Sequence, residues 1–504
     1  MSEEKTRELS AEEVMQKFDK ESDKRELDGI WGKIINIICI VFAGFQIYTA
    51  AFGILDATLQ RCVHLFFGFL LIFLLYPARK SWSRKSIHPL DLLLAALGAG
   101  CCMYLYTQFH ELVLRAGMNT ETDIYIAIVG IVLVFEAARR VVGWPMIIVA
   151  LVFIMYAFFG PYMPTLIAHR GVDVDELVAH LWYTTEGVFG TPMGVSSTFI
   201  YLFILFGSYL ETTGLGKLFI DLANALAGWA AGGPAKVAVL SSGLMGTVSG
   251  SSVGNVAGTG AFTIPMMKKL GYRPQFAGAV EAAASTGGQL MPPVMGAAAF
   301  LMAEFVGVPY IDVVKAAVIP ALLYYIGVWL GVHYEAKKFG LKGTPRDQLP
   351  DFKKLFMEKG HLAIPLAVIV YLLVSGYTPM RAALAAIVLS IVCACLRSST
   401  RIGPKEIIDG LINGSKGVLG VLIACATAGI IIGVVTKTGV GLKVATALLD
   451  LSGGYIVPAM FFTMITSLLL GMGVPTTANY VITSTIAAPA LVQMNVPVLA
   501  AHMF

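Results

Sequence analysis

Charge is what this sequence has least of. Only 13% of its 504 residues are Asp, Glu, Lys or Arg, against roughly a quarter in an average soluble domain. Hydrophobic residues make up 57% and the mean hydropathy is +0.76. A soluble fold would have too little polar surface to cover so much apolar side chain, so lipid must be the solvent for much of the chain. The net charge of +4 is small and dispersed between loops, which gives no reason for nucleic acid as a partner. The first stretch also lacks the pattern of a cleavable signal peptide. Met1 to Asp28 is crowded with Glu, Lys and Asp and lacks the required apolar core, so residues 1–28 read as a polar cytoplasmic tail. The seven cysteines fall in apolar runs, and Cys393 and Cys395 flank a single Ala, which is no zinc spacing. They read as small buried hydrophobes. His64, His110, His333, His361 and His502 show no ligand spacing either. No cofactor is implied.

What the chain has in abundance is long apolar runs. A spanning helix needs about 20 mostly apolar residues. Runs free of charge meet or approach that at Ile34–Leu55, Cys62–Ala78, Leu92–His110 and Trp144–His169, with a shorter one at Ile124–Phe135. Others follow at Val195–Leu210, Val237–Met267, Ala282–Ala303, Ala316–Tyr334, Leu362–Gly376, Ala382–Leu396 and Gly417–Thr436, and Leu451–Phe504 has no charged residue at all. The fold class expected is all-α and polytopic. Basic loops stay cytoplasmic, which places Ala78–Lys85, Arg139 and Arg140, Glu335–Gly360 and Arg397–Lys405 inside, together with the N-terminus. Residues 29–165 form one compact set of about five spans. Residues 166–190 read as an amphipathic connector on the outer face.

The rest repeats itself at an offset of about 225 residues. Thr213–Gly216 matches Thr438–Gly441, Leu244–Ser252 matches Leu469–Thr477, Pro265 falls near Pro489, and Arg273-Pro274 near Val496-Pro497. Residues 191–400 hold the first copy and 401–504 the second. From the loop charges the two copies start on opposite sides, and inverted repeats with helices broken near mid-membrane are a recurring design of secondary transporters.

Two breaks carry the expected chemistry, near Ser249–Gly260 and Gly473–Ser484. Val237–Met267 is too long for one span and is interrupted by Gly, Ser, Thr and Asn, which predicts a re-entrant hairpin. The next helix breaks over Glu281–Pro293, where two prolines follow a Gly pair, and Ser285, Thr286, Gly287 and Gly288 are expected to face the hairpin tip. Gly471–Tyr480 is the matching tip in the second copy. Backbone carbonyls and hydroxyls freed at such breaks suit Na⁺, and half-helix N-termini suit a carboxylate. Small residues that merely let helices pack would give similar text at any one of these places. Three breaks, two of them related by the repeat, favour the transport reading. Glu281 and Glu304 read equally as cation or proton sites and as carboxylates near helix ends.

These segments resemble the membrane component of tripartite ATP-independent periplasmic (TRAP) transporters. The carriers of the resemblance are Ser249–Pro265, Ala284–Pro293 and Gly471–Thr477. The loop Ala336–Pro350 resembles the fused branch associated with TAXI-type binding proteins, and Asn255 stands where many dicarboxylate-type relatives carry Asp. The resemblance implies a small-subunit-like brace at residues 29–165 and an elevator-type remainder. It also implies a periplasmic TAXI-type substrate-binding protein that delivers a small organic anion, with Na⁺ (or H⁺) as the coupling ion. Carried over residue by residue, substrate contacts fall on Ser251, Ser252, Asn255, Thr286, Pro292, Thr476, Thr477 and Asn479. Na⁺ ligands fall on Ser249, Ser252, Ser285, Gly288, Pro475 and Thr477. The repeat offset places Phe504 just before the second copy of the broken helix, so the expectation is a fragment or a truncated product, lacking half of one ion site.

Two other readings stand beside this one. A stand-alone ion-coupled anion carrier would not need the extra N-terminal spans. An intramembrane enzyme would need acid, base and metal-ligand spacing that the sequence does not show.

Overall fold

The computed structural model describes residues 24–25, 27–79, 82–472 and 474–504; most of the expected tail and Gly473 lie outside them. Every regular element among the described residues is helical, and eight helices are long and apolar enough to cross a membrane. The N-terminal part contains α1 (Gly29–Phe52), α2 (Ala57–Leu75), α3 (Pro89–Thr107), α4 (Glu121–Val141) and α5 (Trp144–Phe159), and all of these but α4 are among the eight. The expected span Trp144–His169 is shorter than its apolar run. Its helix stops at Phe159, and the chain folds back so that the Val172 amide donates to the Ala157 carbonyl at 3.1 Å. The connector contains α6 (Val174–Tyr183).

The last residues of the expected tail are not free. Arg25 is buried, pairs with Asp91 and donates to the Phe73 and Leu74 carbonyls at the end of α2. Arg140 holds the other oxygen of Asp91 at 2.7 Å and donates to the Tyr76 carbonyl at 2.9 Å. Two guanidiniums thus cap the C-terminus of α2, where helix carbonyls lack partners.

The remainder opens with α7 (Thr191–Thr212), which contains a π-turn at Ser196–Ile200. Such a turn frees a carbonyl, and here Gln60 of α2 donates to the Ser197 carbonyl at 3.2 Å while His64 meets the Ser196 hydroxyl at 3.0 Å. Then come α8 (Leu215–Ala227), α9 (Gly233–Ser249), α10 (Ser252–Lys269), α11 (Pro274–Gly287), α12 (Ala297–Val306) and the long α13 (Tyr310–Lys338). After α14 (Ile364–Val374) and α15 (Pro379–Cys395), a second series begins with α16 (Pro404–Gly417) and α17 (Leu419–Thr438). It continues with α18 (Val440–Leu451), α19 (Ile456–Leu470), α20 (Thr476–Ile486), α21 (Ala488–Gln493) and α22 (Val498–Met503).

The two series follow one plan. Gly214 before α8 and Gly439 before α18 both take the left-handed conformation, at φ 83° and 68°. A side chain there would be strained. Pro274 opens α11 and Pro497 caps α22, while Pro265 inside α10 answers to Pro489 at the start of α21.

α17 is the axis of packing. It is almost wholly buried among α2, α4, α5, α6, α7 and α20. α16 binds α1 and α7 together: Ser415 donates to the Cys39 carbonyl at 2.9 Å and meets the Tyr201 hydroxyl at 2.6 Å. By contrast, the lower parts of α9, α10, α11 and α13 enclose a small apolar core of their own, including Ala235, Ala238, Met267, Ala277, Val280 and Val332. Six cysteines are buried as expected, but Cys395 is exposed.

Candidate functional site

The expected hairpin is present, and its interruption is much narrower than the Gly-rich text suggests. α9 runs to Ser249, Gly250 turns the chain at φ 62°, and α10 begins at Ser252. Residues 252–260 are therefore helical rather than open loop. The Ser251 hydroxyl accepts from the Gly254 amide at 3.1 Å, a side-chain cap that lets a glycine-bearing segment start a helix.

The broken helix meets this hairpin in a register that differs from expectation. Gly288 lies backbone to backbone against Gly246, one turn below the tip. Gly250, at the tip itself, faces Met295 and Gly296. The stretch 288–296 has turned back on itself, with the Gly296 amide donating to the Gln289 carbonyl at 2.8 Å. Thr286 is exposed and bonds only to its own helix, at the Ala282 carbonyl, so it does not face the tip. Pro292 is half-buried in the turned-back stretch. Two tyrosines of α13 hold the end of α11: Tyr324 donates to the Ala283 carbonyl at 2.9 Å and Tyr325 to the Ala284 carbonyl at 2.7 Å.

Behind the tip lies a polar cluster whose centre was ambiguous in the sequence. Glu281 is fully buried in the middle of α11, which removes the helix-end reading. Its Oε1 accepts from Ser242 at 2.6 Å, Thr259 at 2.6 Å and Ser285 at 3.0 Å. Its Oε2 accepts from Thr263 at 2.5 Å. Ser242, Thr259 and Thr263 were not singled out from sequence, although Thr259 and Thr263 lie one turn apart on one face of α10. Asn255 is buried beside them and donates to the Ser242 carbonyl at 2.6 Å, while its Oδ1 has no partner. Glu304 is exposed and shares a small cavity of about 170 Å³ with Arg61.

In the second copy, α19 ends at Leu470, Pro475 caps α20, and Ser484 is already helical. Thr476 is exposed and Thr477 buried. The amide of Asn479 stands against Gly471, as that of Asn255 stands against Gly246, and the Asn479 Oδ1 is likewise unpartnered. The repeat therefore extends to side chains.

A cavity of about 310 Å³ lies between the first tip and the helices around α17. Ser249, Gly250, Ser251, Val253 and Gly254 form one wall. Phe203, Gly207, Ser208 and Glu211 of α7 form another, with Asn413 of α16 and Lys24 nearby. Ser249, Ser251 and Ser252 are thus at or beside this cavity, whereas Asn255 and Ser285 are buried behind the turn.

Residues 129–504 match the family described as the DctM component of the tripartite ATP-independent periplasmic transporter. This chain belongs to that family. DctM components are transporter parts rather than enzymes. Among similar proteins, the isethionate TRAP transporter permease protein DctMQ of Oleidesulfovibrio alaskensis is 25% identical over 343 residues, 66% of this chain and 51% of that one. The C4-dicarboxylate TRAP transporter large permease protein DctM of Pseudomonas aeruginosa is 32% identical over 153 residues, 30% of this chain and 35% of that one. An uncharacterised protein, YgiK, of Salmonella typhimurium is 24% identical over 234 residues, 45% of this chain and 52% of that one. The chain spans about half or less of the length of these relatives. The match covers the hairpin, the broken helix, the cavity and the second series of helices.

Proposed function

We propose that this chain is the membrane permease of a TRAP-type secondary transporter, with small- and large-subunit-like parts fused. In this reading it resides in the bacterial or archaeal cytoplasmic membrane with its N-terminus inside. It takes up a small organic anion delivered by a periplasmic TAXI-type binding protein, driven by a Na⁺ or H⁺ gradient. The observation that carries the reading is the capped hairpin turn Ser249–Ser251, which forms one wall of a cavity against helices of the other packing unit. Its volume is in the range of small-molecule sites, roughly 300–1,000 Å³.

Within this reading Ser251 and Ser252 contact the anion at the turn. Ser249, Ser285 and Gly288 belong to the ion site behind it, while Pro475, Thr476, Thr477 and Asn479 form the corresponding half-site of the second copy. Thr286 and Pro292 are the weakest of the substrate assignments, because one points away from the tip and the other sits in the turned-back stretch. In this reading the repeat is inverted, as the loop charges imply, and transport proceeds by alternating access, one unit moving against the other.

Uptake into proteoliposomes tests the proposal. Labelled isethionate and C4-dicarboxylates would be offered with and without a Na⁺ gradient and a TAXI-type binding protein. Accumulation that needs both is expected. Accumulation without the binding protein would favour a stand-alone carrier, and none under any condition would overturn the reading.

A further inference from the structure

The segment ahead of α1 reaches the cavity. Arg25 fixes it in place: the Arg25 amide donates to the Leu75 carbonyl at 2.8 Å, and its guanidinium is buried on Asp91 and the end of α2. Lys24, the residue before it, therefore starts from a pinned backbone. Its Nζ donates to the Lys416 carbonyl in the last turn of α16 at 3.2 Å and lies 5.9 Å from the centre of the Tyr76 ring. Beside Asn413 and Gly417, Lys24 lines the cavity. The family match covers residues 129–504, so this side chain is brought to the cavity by the N-terminal part.

Charges around the cavity are few. Among the described residues that line it, Lys24 is the one cation and Glu211 the one anion. Ser251, Val253 and Gly254 open α10 on the hairpin wall, so the positive end of that helix lies there. The facing wall has the opposite sign. It carries Glu211 at the end of α7 and the carbonyl end of α16, where a helix dipole is negative. That wall would repel an anion unless a cation stood on it, and Lys24 stands on it.

We propose that Lys24 is the specificity-determining cation of this cavity. It offsets Glu211 and the end of α16, so that the cavity admits a small organic anion, a carboxylate or a sulfonate, in preference to a neutral or cationic molecule. The cargo in this statement rests on the transport reading, whereas the sign of the cavity does not. A lysine that merely capped α16 would make the same hydrogen bond, and the test separates the two roles.

The test reads the potential inside the cavity. V253C in a C395S background puts an accessible thiol on the cavity wall. Its rates of reaction with an anionic and a cationic methanethiosulfonate of similar size are compared in the full chain in detergent. K24Q in that background should lower the anionic-to-cationic rate ratio by roughly 3–30-fold, the effect of one unit charge across a partly hydrated cavity, and by less at high salt. K24R should keep the ratio, E211Q should raise it, and K24Q with E211Q should return it towards its starting value. K33Q removes a lysine of α1 that is not in the lining and should leave it unchanged. If K24Q does not yield folded protein, K24M keeps the apolar stem and carries the test. A ratio unchanged in K24Q or K24M overturns the inference and leaves Lys24 as a helix cap, whatever the melting midpoint does. Uptake distinguishes the two levels. A ratio that depends on Lys24, with no uptake of isethionate or C4-dicarboxylates under any condition, would sink the transport reading alone. Uptake by the wild type with a ratio indifferent to Lys24 would sink this inference alone.

Discussion

Gly246 and Gly288 touch through their Cα atoms. A Cβ on either would fall far inside contact distance of the other's backbone. The hairpin and the broken helix are therefore in register at one point where no side chain fits, and the polar cluster around Glu281 is assembled directly beneath it. G246A or G288A should prise the two apart, at a cost of about 1–3 kcal/mol or more, as expected for overpacking. Gly258 is the control. Nothing lies near its missing Cβ, so G258A should be neutral or slightly stabilising, by up to about 1 kcal/mol from helix propensity. Thermal unfolding of the three variants checks this, and equal loss in all three would contradict the contact.

Asp91 joins two arginines that cap one helix end. D91N would leave Arg25 and Arg140 buried with half their charge unmatched, for which the expected loss is about 3–5 kcal/mol. Glu136 also serves Arg140, at 2.8 Å, but its side chain is 24% exposed. E136Q should therefore cost distinctly less than D91N. The recovery of monodisperse protein after mild heating would rank the two variants.

Cys395 is the one exposed thiol among the seven. It follows the basic-loop orientation only if Arg397 and Arg401 lie in the cytoplasm. A membrane-impermeant maleimide should label the protein in inverted vesicles and not in intact cells, and C395S should abolish the signal. Labelling of intact cells would reverse the topology.

Acidification should loosen α6 from α17. His180 is held below its ordinary value, chiefly by burial, and meets the Gly433 carbonyl at 3.1 Å. Glu176 is also held low, chiefly by a hydrogen bond from Lys437 at 2.7 Å. The folded state binds protons less readily than the unfolded one at both groups. The His180 contribution is thus lost as pH falls below about 6.5, and that of Glu176 as it falls below about 4.5. Midpoints recorded between about pH 8 and 5 should fall on the acid side, and H180Q should flatten the upper part of that fall.

Val253 is 44% exposed and faces the cavity beside the hairpin turn. V253W would fill much of that space without touching the polar cluster. Uptake should drop by at least tenfold with little change in melting midpoint. Retained uptake would place the cargo route elsewhere.

The hairpin and the two breaks were legible because Gly, Ser and Pro are costly inside helices and had to serve some purpose there. The lengths of the breaks were not. Ser251 caps α10 and packing then holds Gly254 and Gly258 in helix, so local propensity was overridden by tertiary contact. Glu281 was visible as an anomaly, but its donors come from three different helices. Ser242 is 39 residues away and Thr263 is 18, and nothing in the linear order joins them. Arg25 was hidden for the same reason, since its partner is 66 residues on. The side-chain repeat was half visible: Asn255 and Asn479 stood out, whereas their glycine partners looked like ordinary small residues.

The private apolar core of α9, α10, α11 and α13 has a mechanical corollary. Its lower residues, such as Ala238, Met267 and Val332, pack among themselves, while Met245 and Val248 near the tip belong to the larger core. Contact between the two cores is thus confined to a narrow seam, and in the proposed transport cycle any movement of one unit against the other would run along it. Substitutions that roughen that seam should act as a brake on turnover, whereas those within the private core should act on folding yield alone.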